Sequence, residues 1–147
     1  MVPDYKMGPT PLEIIERIRD RDPVDLVANL VTLRKQADDM KEKALKAYSF
    51  ATHKAERFLV PAHPVRLSIA LNFGVFQFEV VQDPETAKKT TRQAAELASK
   101  KLDQLTEERD LADSKIIIDL LRENLDMWQQ YLNEQQQEKK QQEKKDK

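Results

Sequence analysis

Cysteine is absent from this chain, and glycine occurs only twice in 147 residues. A chain of this length carries about ten glycines on average. Phosphate-cradling loops, dinucleotide fingerprints and tight β-hairpins need glycine where φ is positive or where backbone meets ligand, so their usual forms are excluded. Without cysteine there are no disulfides, thiolate metal ligands or cysteine nucleophiles, which suits a reducing, cytoplasmic setting. Histidine is scarce as well. His53 and His63 flank the break at Pro61, with no carboxylate at a ligand spacing. They read as a surface residue and a helix-entry residue, so no metal, cofactor or catalytic residue is expected.

An excess of charge of one sign is also missing. The 25 basic and 26 acidic side chains leave a net charge of −1. That supplies no global field for nucleic acid or a membrane surface. Arg17, Arg19 and Arg21 alternate with Glu16, Asp20 and Asp22, a self-neutralised face. No apolar run is long enough to span a bilayer, and the start of the chain lacks a signal-peptide pattern. A soluble, intracellular, all-α protein is expected: not an enzyme, with no nucleic-acid partner and no membrane insertion.

What is present is helix punctuation. Thr10-Pro11-Leu12-Glu13 is a capping box with proline at the first helical position. Asp22-Pro23 repeats the device and ends the first helix, because the residue before proline is pushed out of the α region. A second helix runs to about Gln36. It either continues or breaks near Ala37-Asp38-Asp39 into a third, over about 39–59, with an alanine-rich stripe. Pro61-Ala62-His63-Pro64 is a break. Residues 65–81 are apolar on nearly every side and too long for a strand, so they read as a buried central helix. Asp83-Pro84 starts the next helix, to about Leu105, followed by a charged connection over 106–112. Asp113 or Ser114 then caps a last helix. From Asn133 no apolar residue remains, with five lysines against four acids. That stretch reads as a frayed helix end and a disordered Gln/Lys/Glu-rich tail. Three regions result: divergent N-terminal helices over 1–36, an antiparallel helical array over 37–132, and the tail over 133–147.

Two amides interrupt apolar helices. Asn72 shares a face with Val75 and Glu79, and Asn124 shares one with Ile116 and Leu120. Apolar side chains beside an amide that donates and accepts suit an extended peptide, with contacts for its side chains and bonds for its backbone. The plainer alternative is that each asparagine bonds within the core.

Residues 61–81, PAHPVRLSIALNFGVFQFEVV, closely resemble the central signature of the 14-3-3 family, and residues 113–128, DSKIIIDLLRENLDMW, resemble its last-helix signature. The order of the motifs, their spacing and the Asp83-Pro84-Glu85 helix start agree with that family from about Tyr48 to Trp128. The resemblance implies an antiparallel all-α fold and a groove that binds phosphoserine or phosphothreonine segments of partner proteins in signalling. It further implies that Asn72 and Asn124 bond a bound peptide's backbone, and that Leu71, Val75, Ile116, Ile117 and Leu120 line an apolar wall. Glu79 and Trp128 fall at supporting groove positions.

The chain departs from the family pattern where phosphate is gripped. The basic residues of the third helix and the arginine-tyrosine pair of the fourth have no counterpart, and Arg21 to Val27 holds no such pair. Gly74, Gln77 and Phe78 stand where serine and tyrosine are more usual. The resemblance therefore implies an adaptor with weakened phosphate recognition, N-terminally truncated and without the family-type dimer. Arg17, Arg19, Arg21 or Arg34 would supply substitute charge. The alternative is a truncated helical interaction module with no phosphate dependence.

Overall fold

The computed structural model describes Thr10, Leu12, Glu13, Glu16 and residues 23–146. Every regular element among them is helical: α1 (Pro23–Phe58), α2 (Pro64–Glu79), α3 (Pro84–Lys100), a 3-10 turn (Leu102–Gln104) and α4 (Glu108–Lys145). This is the expected all-α class. The chain divides into two units, Met1–Glu42 and Lys43–Lys147.

In the first unit the capping box forms. The Thr10 amide donates to Glu13 Oε2 at 3.1 Å, and the Glu13 amide donates to Thr10 Oγ1 at 3.3 Å. The apolar residues Ile14, Ile15 and Ile18 and the arginines Arg17, Arg19 and Arg21 lie outside the described residues. α1 does not break at Ala37-Asp38-Asp39. No proline or glycine falls between Val24 and Val60, and two mid-helix aspartates cost only about 0.5–0.7 kcal/mol each against alanine. Within residues 24–40, Val24, Val27, Leu30, Val31, Leu33 and Met40 stay between 60% and 74% exposed.

In the second unit α2, α3 and α4 pack on one another pairwise. The core is Ala62, Leu67, Ala95, Ala98, Ile118 and Leu121, with Leu71, Leu102, Leu105 and Ile117 packed against it. Each buried leucine contributes about 1.5–3 kcal/mol by leaving water. α3 turns Ala87, Thr91, Ala95 and Ala98 inward, a face of small residues at helical spacing that lets its neighbours come close. Ser114 Oγ donates to the Ala62 carbonyl at 2.6 Å and pins the start of α4 to the turn before α2. At the end of α1, Tyr48 stacks on Phe73, with centroids 5.1 Å apart, and meets Phe76 at the same distance.

The breaks are built by caps. His63 precedes α2 and its Nδ1 accepts from the Val65 amide at 3.1 Å, a helix-entry role. Asp83 precedes α3; its Oδ1 accepts from the Thr86 amide at 3.1 Å and its Oδ2 from the Thr86 hydroxyl at 2.6 Å. These bonds, the Thr86 hydroxyl's first, hold the Asp83 carboxyl below its ordinary value.

Three expectations are corrected. α2 is not buried all round: only Leu67, Gly74 and Gln77 are fully enclosed, while Val65, Asn72 and Glu79 are exposed. A unit this small has too few neighbouring helices to cover every face of one helix. α4 begins at Glu108, ahead of the expected Asp113 or Ser114, and Ser114 is a buried core residue. The stretch from Asn133, expected to be disordered, continues α4 to Lys145. Glutamine, glutamate and lysine are good helix formers, and side-chain bonds support its start. Gln129 Nε2 donates to Asn133 Oδ1 and Gln130 Nε2 to Glu134 Oε1, each at 3.0 Å.

Candidate peptide-binding site

The candidate site residues lie on α2 and α4, which pack directly on each other and on α3. Their contact is aromatic. Phe78 stacks on Trp128 with centroids 4.8 Å apart and planes 7° from parallel, and meets the edge of Tyr131 at 6.0 Å. Close approach at this seam needs Gly74: a Cβ there would collide with Thr91 Oγ1 and lie 3.3 Å from Trp128 Cη2. Gln77, buried beside it, accepts from Thr90 Oγ1 at 3.0 Å. Gly74, Gln77 and Phe78, the positions that depart from the family signature, thus sit together in the seam between α2, α3 and α4.

Trp128 is 6% exposed, so it packs in this seam. Leu71 and Ile117 border the core, half-buried. Val75 is half-buried, Asn72 and Glu79 are exposed on α2, and Asn124 is half-buried on α4. Ile116 is 60% exposed and Leu120 is 40% exposed. Tyr131 lies seven residues after Asn124, on the same helix face, and touches Phe78. The Asn124 face of α4 therefore borders α2.

Neither asparagine side chain has a hydrogen-bond partner among the described residues. The reading in which each amide is spent inside the core does not describe this structure. Two amides with free donors and acceptors stand among exposed or half-exposed apolar side chains on adjoining helices. Such a surface offers backbone bonds and apolar contacts to an extended chain. It offers no cation: the set holds one acid, Glu79, and neither lysine nor arginine. Arg34 is exposed on α1 in the first unit.

Sequence reasoning missed Met127 and Tyr131, which extend the apolar surface of α4 at 58% and 51% exposure. Helical spacing puts Tyr131 on the Asn124 face of α4. Spacing alone could not tell the rim of the seam from its centre. The same limit hid Ile118, which is buried in the core while its neighbour Ile116 is not.

Comparison with known proteins agrees with these elements. A family profile described as 14-3-3 protein matches residues 27–129. The 14-3-3-like protein GF14 epsilon of Arabidopsis thaliana is 46% identical over 102 residues, covering 69% of this chain and 39% of that protein. The 14-3-3 protein 7 of Solanum lycopersicum is 46% identical over 103 residues, covering 68% of this chain and 40% of its own length. The 14-3-3 protein 2 of Entamoeba histolytica is 41% identical over 97 residues, covering 66% of this chain and 40% of its own. The chain spans about two-fifths of the length of these relatives. The match takes in α1 from Val27 onward, the α2–α4 seam and both asparagine stripes, and over that stretch this chain belongs to the 14-3-3 family.

Proposed function

We propose that this chain is a non-enzymatic, adaptor-type protein that holds an extended segment of a partner against the Asn72 and Asn124 faces of α2 and α4. The observation that carries the reading is the pair of unspent amides, bordered by Val75, Leu120 and Ile116 on packed neighbouring helices. Asn72 and Asn124 bond the partner's backbone, and Leu71, Val75, Ile116, Ile117 and Leu120 meet its side chains. Trp128 supports the site from beneath through Phe78, and Glu79 sits at its edge. Family membership supports a phosphorylated serine or threonine segment as the partner, in the cytoplasm. No helix among the described residues is long and apolar enough to cross a membrane.

The same surface makes phosphate recognition weak. A phosphate of charge near −2 needs positioned donors, and charge-assisted bonds contribute about 1.5–3 kcal/mol each. None is offered by the residues of the two stripes, and Glu79 repels the anion. The test is calorimetric titration with one apolar-flanked serine peptide in phosphorylated and unphosphorylated form. Both forms should bind weakly, differing by less than about tenfold, which corresponds to 1.4 kcal/mol. Asn124→Ala should weaken both alike. Micromolar affinity that vanishes on dephosphorylation would show a complete phosphate site, and binding indifferent to Asn72→Ala and Asn124→Ala would remove the stripes from the mechanism.

A further inference from the structure

A concavity lies apart from the two asparagine stripes. A cavity of about 360 Å³ opens between α1, α2 and α3 within the second unit. That volume falls in the range of small-molecule sites, roughly 300–1,000 Å³. Its walls are mainly apolar: Ala55 from α1, Leu67, Ala70 and Phe73 from α2, and Ala94 and Leu97 from α3. On α2, Arg66, Ala70 and Phe73 point about 140° around the helix from Asn72, Val75 and Glu79, at roughly 100° per residue. None of Asn72, Val75 or Glu79 lines the cavity.

Two polar groups in its lining keep hydrogen-bonding capacity. Thr52 Oγ1 is shielded from solvent and has no hydrogen-bond partner, an unfavourable state for a buried hydroxyl. Arg66 is half-buried, and its Nη1 donates to the Leu59 carbonyl at 3.0 Å. That bond holds the guanidinium in place and leaves its other N–H groups available. Among the described residues no salt bridge joins Arg66 to a carboxylate. Glu56 also lines the cavity, but it is exposed and screened by water and salt. Arg66, the more enclosed of the two, sets the sign of charge inside.

We propose that this cavity binds a small organic carboxylate. The apolar body lies against Leu67, Ala70, Phe73 and Ala94, the carboxylate takes the free donors of Arg66, and the Thr52 hydroxyl donates a further bond. Arginine suits this role because its planar fork matches a carboxylate with two parallel bonds. The aliphatic and aromatic walls fix the class of the remainder as an aryl or short alkyl group.

The experiment is a titration of the isotope-labelled full chain with naphthoate and, separately, its uncharged counterpart naphthamide, read by amide chemical shifts. Naphthoate should move resonances of Thr52, Arg66, Ala70 and Ala94, and bind about ten- to a hundredfold tighter than naphthamide. Arg66→Gln should abolish that preference while leaving naphthamide binding unchanged, because it removes the cation and keeps a neutral polar side chain. Ala94→Trp, which fills the space, should remove both ligands. If it fails to fold, Arg66→Gln alone still decides. Equal affinity for the two probes, shifts confined to Asn72 and Asn124, or no binding at millimolar concentration (a water-filled cavity) would each overturn the proposal.

Discussion

Residues 24–40 and residues 113–128 carry the same kind of pattern, leucine, isoleucine and valine at spacings of three and four, and both are helical. In the later stretch Ser114, Ile118, Leu121 and Trp128 are enclosed by α2 and α3. In the earlier one, six large apolar residues remain mostly exposed. Periodicity specifies a helix with an apolar face, because 3.6 residues per turn gathers those side chains on one side. It does not specify what that face meets. The later stretch is stabilised by tertiary packing, which supplies most of a helix's stability in a protein. The earlier has no glycine or internal proline to interrupt its helix.

The strongest way to break this comparison is to truncate one leucine in each stretch. Leu121→Ala removes a side chain with no solvent exposure and should cost about 2–5 kcal/mol in denaturant unfolding. Leu30→Ala, at 65% exposure, should cost under about 0.5 kcal/mol. Equal losses would show that residues 24–40 are packed in solution.

A second test sharpens the account of the seam. Gly74→Ala should cost about 1–3 kcal/mol, because the new methyl meets Thr91 Oγ1 and Trp128. Adding Thr91→Ala should recover part of that loss, since residues in contact are energetically coupled. Strictly additive losses would place the strain elsewhere.

The smallest effect is that of pH on a cap. Asp83 is held below its ordinary value by the Thr86 hydroxyl and amide, so its contribution is fully present above the unfolded aspartate value, about 3.9. It fades as pH falls through the lower folded value. Between about pH 5 and pH 2, unfolding midpoints should therefore converge for the native chain and Asp83→Ala. A gap that persists at the acid end would mean that the protonated side chain still caps α3.

The signature motifs single out the candidate site residues, and the helices place them as their spacing requires. Asn72, Val75 and Glu79 share a face of α2, and Ile116, Leu120 and Asn124 a face of α4, as helical spacing requires. What spacing could not show was depth. The resemblance gives Trp128 and Ile116 alike as groove positions, yet one lies in the seam and the other is 60% exposed. Only the crossing of α2 and α4, which brings Phe78 onto Trp128, separates them. Gly74 was visible as an unusual residue, but its reason, the approach of Thr91 and Trp128, belongs to two other helices.

The sequence by itself determined the all-α class, the break before His63 and the start of α3 at Asp83-Pro84, because those depend on bonds between residues within a few positions of each other. It also placed the two asparagines on apolar helices. The tertiary structure decided which apolar face is covered, which amides stay unpaired, and that a cavity opens between α1, α2 and α3. Those outcomes depend on residues far apart in the chain, such as Ser114 against Ala62 or Tyr48 against Phe73, whose meeting no local pattern encodes.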